Sequence, residues 1–585
     1  MLARRVLAVS LFALLATQRP AAADYETALL PPVLVKGETP HTVPLAERMA
    51  QLHVPGVSMA YIHDGKIAWA RTYGVTKIGG PAVTPETLFQ AASISKPVAA
   101  LAVLHLAQDG KLDLDRDVNS YLKSWKVPET EFTARKKVTL RELLSHTAGL
   151  TVHGFAGYER GTPLPNLTQM LDGEPPANSA PIRVEAEPGS RWRYSGGGYV
   201  VTRQLLEDVT GIPFPKLMQD LVLGPIGMTR SSYEQPLPAE RRAEEAMAYD
   251  SDGKEIAGGP HIYPEMAPDG LWTTPSDLAR YAIEVQKSLT GKANHVLSQP
   301  MTREMLKPGQ NNWGLGPEIE PGGFFWHTGG NEGFRCELIA SENGEGVVIM
   351  TNGDQGGDLM AEISRTLAHD HGWSAFEPAE RETVQLDKAV MQRYAGYYRI
   401  GRYTIAEATL DQGALYLKVP GEAKARIYPA SEREWFFTDI NGGATFNPDA
   451  KGTETAMMVH FPHGDAPARR IDAARARQVQ DELATKIKSQ AQDPASEAAL
   501  RRHVAELQAG EPDYSKMASG LAEVVRDQLP DLKGTMQSLG PLKSITFTGV
   551  DEDGGDLYKL TFEHGEIGWH ILVDLRGKTE SLGFI

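Results

Sequence analysis

The stretch Val98-Ala99-Ala100-Leu101-Ala102-Val103-Leu104, followed by Leu106, has helix-forming composition and almost no polar face. A helix that is apolar nearly all round is stable only when it is buried nearly all round. Its first turn, Ser93-Ile94-Ser95-Lys96, is buried with it. Residues three apart on a helix lie on one face, so this turn brings Ser93 and Lys96 together. A serine hydroxyl is a poor nucleophile until a neighbouring base takes its proton. A lysine one turn on can be that base if burial or another cation lowers its pKa. Pro97 is tolerated, because an early-turn residue needs no intrahelical N–H partner. The positive end of the helix dipole also favours a serine there.

At 585 residues the chain exceeds one core and predicts about three or four units. Residues 40–374 begin with strands at Val57–Ile62 and Lys66–Tyr73, joined by an Asp64-Gly65 hairpin turn. A short helix over Leu45–Leu52 precedes them. Helical patterns fill the middle, at Ser93–Gln108, Leu140–Ser145, Tyr199–Val209 and Ser276–Ser288, with a Thr139/Glu142 capping box. Strands return at Phe324–Trp326, Phe334–Ala340 and Gly346–Thr351. This order suits one antiparallel sheet closed by both ends of the segment and flanked by helices, an α/β (α+β) class. Pro378 marks a linker, and short strands with turns over 380–470 predict a β-barrel. Residues 471–585 read as a small α+β unit: a polar helical stretch over Ile471–Leu507, then a three-strand meander from Ser544 to Leu575.

The net charge of −16, without a basic block, excludes a nucleic-acid binder. Arg4, Arg5, the apolar run Val6–Thr17 and Ala21-Ala22-Ala23 read as a signal peptide over residues 1–23. The expectation is a periplasmic or secreted protein without a transmembrane segment after cleavage, the mature hydrolase domain being 24–375. The single cysteine, Cys336, lies in an apolar strand and reads as core filling, so the units must hold by packing.

Other motifs are weaker alone. Ser120-Tyr121-Leu122-Lys123 repeats the serine–lysine spacing but lacks a buried helix after it, and reads as a surface loop. Tyr194, beside a lysine, can act as a base through its phenolate. His327-Thr328-Gly329-Gly330-Asn331 follows the apolar strand Phe324–Trp326, and its glycines let a substrate backbone approach. His369-Asp370-His371 reads as a solvated helix end, and no metal is expected. No G-x-S-x-G, H-E-x-x-H or phosphate-binding loop is present.

Taken together and in order, these elements resemble the family of class C β-lactamases, D-alanyl-D-alanine carboxypeptidases and esterase-like penicillin-binding proteins. The resemblance runs through Phe89–Lys96, Leu143–Leu150, Glu187–Ser195, Pro225–Met228, Gly270–Ala279 and His327–Gly330. It implies that Ser93 is acylated, that Lys96 and Tyr194 shuttle its proton, and that the Ser93 and Gly330 N–H groups form an oxyanion hole. His327, Thr328 and Gly329 would line the substrate site. His327 stands where β-lactamases and penicillin-binding proteins carry lysine, and Gly196 where the family often has asparagine; both weigh against an efficient β-lactamase. The 380–470 unit resembles the lipocalin-like domain that often follows such hydrolases and could narrow access to the site. The expected activity is cleavage of an ester or amide in a small molecule or short peptide, of carboxylesterase or D-amino-acid peptidase or amidase type, without a cofactor. The alternatives are a true β-lactamase and an inactive, penicillin-binding-like ligand-binding protein. Oligomeric state is open.

Overall fold

The structure is a computed structural model and describes residues 25–420, 423–448, 454–461 and 464–585. The expected signal peptide, residues 1–23, lies outside the described residues. Six antiparallel strands form the central sheet, in the order Lys66–Gly74, Gly56–His63, Gly346–Thr351, Phe334–Ser341, Phe324–Asn331, Glu318–Glu320. Its members come from both ends of the segment, and Gly56–His63 lies directly beside Gly346–Thr351.

Strand alternation divides the interior into two cores. Val57, Met59 and Tyr61 face helices Leu45–Gln51 and Gly356–His371, together with Ile349 and Leu359. Ala60, Ile62, Cys336, Leu338, Val348 and Met350 face the opposite side, where helix Ser95–Gln108 lies. Both faces are covered, so these strands are apolar at nearly every position. Helix Ser95–Gln108 is buried from Ser95 through Leu104, as its composition requires.

Two differences from the sequence reading bear on the site. The buried helix starts at Ser95, and Ala92–Ile94 is a separate 3₁₀ turn. Ala92 has φ of 46°, in the left-handed region that costs a residue with a Cβ about 1 kcal/mol, and this breaks the helix ahead of Ser93. The strand read as Phe324–Trp326 runs on through Asn331, so His327-Thr328-Gly329-Gly330 lies within the strand and not after it.

Eight antiparallel strands from Gly396–Arg399 to Gly464–Ile471 close into a barrel. Tyr398, Leu417, Ile427, Phe437, Phe446 and Val459 pack its interior, and Tyr394 from helix Lys388–Tyr394 stacks on Phe446 at 4.4 Å. Beyond it, helices Ala473–Ser489, Ser496–Ala509 and Ser519–Ser538 accompany a four-stranded antiparallel sheet. The sequence reading missed the helix Ser519–Ser538 and the fourth strand, Thr579–Phe584. No described helix is long and apolar enough to cross a membrane.

Candidate active site

Backbone ties assemble the site. The turn before Ser93 is bound to the loop 268–271: Ala91 N–H donates to the Leu271 carbonyl at 2.8 Å, and Leu271 N–H donates to Ser95 Oγ at 3.0 Å. The other side of the turn rests on strand Phe324–Asn331. A Cβ on Gly329 would lie 2.3 Å from the Ala91 carbonyl oxygen and 2.6 Å from Cys336 Sγ, so only glycine permits this approach. Cys336 is buried and donates its S–H to the same carbonyl at 2.8 Å, and burial pushes its thiol up. It is a structural residue of the turn's seat.

Lys96 is fully buried, and its three donors are directed at Ser93 Oγ (2.8 Å), the Pro268 carbonyl (3.1 Å) and Asp269 Oδ1 (3.3 Å). Burial favours the neutral amine, but Asp269 and Tyr194 outweigh it and hold Lys96 above the ordinary lysine range. The lysine is therefore a cation in the resting site, not the lowered-pKa amine that the sequence suggests. Ser93 Oγ in turn donates to Asp269 Oδ1 at 3.1 Å. Asp269 is the site residue that sequence reasoning missed. Pro268-Asp269-Gly270 also spells an ordinary turn, so composition alone gives it no chemical meaning.

Tyr194 presents its ring 5.1 Å from Lys96 Nζ. It stacks on His146 (centroids 4.1 Å apart) and meets Trp313 edge to face at 5.6 Å. His146 Nδ1 accepts the Ser195 N–H at 3.1 Å, and burial, with Lys96 next, holds the imidazole neutral. The Leu143–Leu150 stretch, read from the sequence as structural, thus also supplies the ring that seats Tyr194. Gly196 starts helix Gly196–Thr210 where a Cβ would lie 2.9 Å from the His153 carbonyl and 3.0 Å from the Phe155 ring. The 153–155 loop occupies the space in which a side chain at Gly196 would stand.

His327 is buried, and its Nδ1 donates to the Thr328 carbonyl. Burial, then the Lys96 charge, pull its pKa down to about 3, so it is neutral at any ordinary pH. Its Nε2 is left as a lone pair.

These groups surround a cleft of about 410 Å³ lined by Ser93, Tyr194, Asp269, Trp313, Glu318, Trp326 and His327 through Gly330, with the 153–155 loop at its rim. All the site residues read from the sequence line it except Lys96, which reaches it through Ser93. Four buried polar atoms of the lining residues have no partner among the described residues: Asp269 Oδ2, His327 Nε2 and the indole N–H groups of Trp313 and Trp326. Among the described residues, none from the barrel lines the cleft. Instead, helix Ser519–Ser538 of the last unit reaches its neighbourhood: Lys533, Gly534 and Gln537 face the 151–156 loop across a second cavity of about 810 Å³. The Ser120–Lys123 pair lies apart from the cleft, with Ser120 and Lys123 exposed. His371 stacks on Tyr61 at 4.6 Å. Among the described residues, His63, Asp64 and Glu345 are the group at metal-ligand spacing, and none of them lines the cleft.

The family profile described as Beta-lactamase matches residues 45–370, more than half of the chain and the whole of the cleft. The chain belongs to the beta-lactamase family. Members of this family are typically serine hydrolases. The chain is 23% identical over 433 residues to penicillin-binding protein 4* of Bacillus subtilis, covering 68% of this chain and 92% of that protein. It is 29% identical over 245 residues to protein Rv1367c of Mycobacterium tuberculosis, 38% of this chain and 59% of that one. The octameric penicillin-binding protein homologue from Pyrococcus abyssi shares the fold, with a TM-score of 0.51 and 22% identity, over 72% of this chain and 98% of that chain.

Proposed function

We propose that this family member hydrolyses an ester or amide through an acyl-enzyme on Ser93, in the manner of a carboxylesterase or a D-amino-acid peptidase or amidase. The observation that carries this reading is the 2.8 Å contact of Lys96 Nζ with Ser93 Oγ at the floor of the cleft, with the Tyr194 ring over the same ammonium. Ser93 Oγ attacks the substrate carbonyl and forms the C–O bond, while the carbonyl oxygen takes up negative charge. The N–H groups of Ser93 and Gly330 are the donors we assign to that oxygen; losing one such donor typically costs about 10²–10³ in rate. The hydroxyl proton passes to the Lys96–Tyr194 pair. With Lys96 already carrying its proton, Tyr194 takes the serine proton as its phenolate, beside the Lys96 ammonium, and becomes the neutral phenol. The same proton then goes to the leaving oxygen or nitrogen as its bond to carbon breaks. Water reverses the sequence: it loses a proton to the pair, attacks the acyl carbon and frees Ser93.

Asp269 keeps Lys96 cationic and holds Ser93 Oγ in place. The neutral His327 offers no charge to a substrate carboxylate, and the 153–155 loop fills the space beside Gly196. Both observations argue against an efficient β-lactamase. The name of the Bacillus subtilis relative supports a second, narrower reading, slow capture of penicillin by Ser93. The test is hydrolysis of a short nitrophenyl ester by the chain and by Ser93→Ala, with intact-mass detection of the acyl adduct. Turnover and adduct should both vanish in the variant. Equal rates in the two proteins overturn the assignment.

A further inference from the structure

His153, Gly154 and Phe155 line both the cleft and the second cavity of about 810 Å³, so one short loop divides the two. The divider is low at its middle: Gly154 has no side chain, and nothing lies within 4 Å of where a Cβ would stand. The His153 ring is 4.8 Å from the Tyr194 ring. In the acyl-transfer reading, Tyr194 hands its proton to the leaving oxygen or nitrogen, so the leaving group departs on the Tyr194 side. The second cavity opens beyond the loop on that side.

The far wall of this cavity belongs to the last unit. Gly534 of helix Ser519–Ser538 faces Ala180, and a Cβ on it would lie 3.8 Å from the Ala180 Cβ. Gln537, three residues on, shares that face of the helix and is exposed. The near wall consists of the stretches 151–156 and 178–183. They are tied at one end by the antiparallel bridge Leu150–Val184, and at the other by Asn178, which donates to the Gly157 carbonyl at 2.8 Å and to the Tyr158 hydroxyl at 2.9 Å. Between these ties, the backbone N–H groups of Gly154, Phe155, Ala156, Ser179 and Ala180 have no partner among the described residues. Backbone donors left open in a concave site are matched by a ligand that presents carbonyl or hydroxyl oxygens. The charges of the lining are already committed. Arg183 pairs with Asp172 at 3.3 Å, Glu185 pairs with Arg193 at 3.4 Å, and the Lys533 side chain lies along Gly510 of its own unit. An uncharged polar ligand suits this lining better than an ion.

We infer that the second cavity receives the leaving group, and that the substrate is an ester or amide whose leaving group is long, uncharged and rich in hydrogen-bonding groups. The last unit is then a specificity-determining part of the site, through the wall that Gly534 and Gln537 provide. A hollow of about 810 Å³ is roughly 12 Å across, the length of about three extended residues at about 3.5 Å each. This rests on the acyl-transfer reading above and specifies the leaving group for that same site.

The experiment measures kcat/KM of the full chain on acetate esters of one phenol that carries para arms of graded length. The esters are para-acetoxyphenylacetamide, the same compound extended by one to four glycines and ending in an amide, and a version with an alkyl arm as long as three glycines. The phenol that leaves keeps nearly the same basicity throughout. The rate is expected to rise with each glycine up to about three, by about 10–100-fold in all, the worth of two or three net hydrogen bonds, and the alkyl arm should gain less. Gly534→Trp, which fills the cavity, should bring the long and short esters to the same rate. Gln537→Trp, at an exposed position on the same wall, should narrow the ratio too. Gly534→Ala, whose methyl group the 3.8 Å gap admits, should keep the gain. Equal rates along the glycine series, or a gain that survives both tryptophan variants, overturns the inference; if the hydrolysis is still lost in Ser93→Ala, the hydrolase reading stands. An alkyl arm that gains as much as the glycine arm overturns the hydrogen-bonding class. No turnover of any of these esters, with no adduct on Ser93, sinks both readings.

Discussion

Two adjacent glycines of the strand Phe324–Asn331 should respond oppositely to the same methyl group. A Cβ on Gly329 would stand 2.3 Å from the Ala91 carbonyl oxygen, about 1.1 Å short of the 3.4 Å at which ordinary contact begins. The obstacle is backbone, and Ala92 Cβ at 3.1 Å and Cys336 Sγ at 2.6 Å crowd the same point. No rotamer relieves it, so the strand and the turn carrying Ser93 must part by roughly 1 Å. A displacement of that size between reacting groups typically costs about 10²-fold in rate. The overpacking should also cost about 1–3 kcal/mol of stability. A Cβ on Gly330 meets nothing nearer than Arg335 side-chain atoms at 3.5 Å. Gly329→Ala should therefore lose about two orders of magnitude in kcat/KM on a nitrophenyl ester and melt earlier. Gly330→Ala should stay within a few-fold of the parent at unchanged stability. The readouts are steady-state kinetics, denaturant melts and the yield of Ser93 adduct with a fluorophosphonate. If Gly329→Ala keeps the parental rate, or Gly330→Ala loses as much, the seating of the serine turn on this strand does not control the chemistry.

Three further expectations follow from buried charges. Lys96→Ala strands the Asp269 carboxylate and should cost about 3–5 kcal/mol; adding Asp269→Ala should return much of that stability in a denaturant double-mutant cycle without returning activity, and a simply additive cycle would refute the coupling. Glu265 is fully buried with both oxygens unpartnered among the described residues, and burial, reinforced by the Asp269 charge, pushes its pKa up to about 8 from 4.5. The folded chain then holds one more proton than the unfolded chain between those values, so stability is greatest below about pH 4.5 on this account and falls as pH rises to 8, by a total on the order of 5 kcal/mol. Melts of Glu265→Gln at pH 5 and pH 8 should lack this difference, and an unchanged pH slope would count against it. His327→Lys should raise the rate on a carboxylate-bearing dipeptide relative to a neutral ester, because it restores the cation that the neutral imidazole does not provide; a fixed ratio between the two substrates would show that this position does not choose between them.

Much of this architecture can be read from local pattern. The all-apolar run after Ser93 demands burial, and its first turn goes into the interior with it. The strands at Val57 and Gly346, almost 290 residues apart, pair because each is apolar on both faces and needs two covered sides. The capping box at Thr139 and Glu142 forms as the two residue types require, with both reciprocal hydrogen bonds present. The last unit is less legible, because Thr579–Phe584 is a half-exposed edge strand and Ser519–Ser538 carries a proline in mid-sequence, a residue that usually ends a helical pattern.

What the sequence by itself determined is the set of reactive residue types and the burial around them: Ser93 and Lys96, three residues apart ahead of an all-apolar helix, are kept close by short chain spacing even though a 3₁₀ turn carries Ser93 and the helix proper carries Lys96. What only the tertiary structure decided is the charge of that site. Asp269 lies 173 residues from Lys96 and arrives on a loop tied by backbone hydrogen bonds to the turn before Ser93. Its carboxylate, brought to 3.3 Å in a place without water's screening, outweighs the burial that would otherwise neutralise the lysine. Coulomb energy depends on distance through space, and a sequence records only distance along the chain.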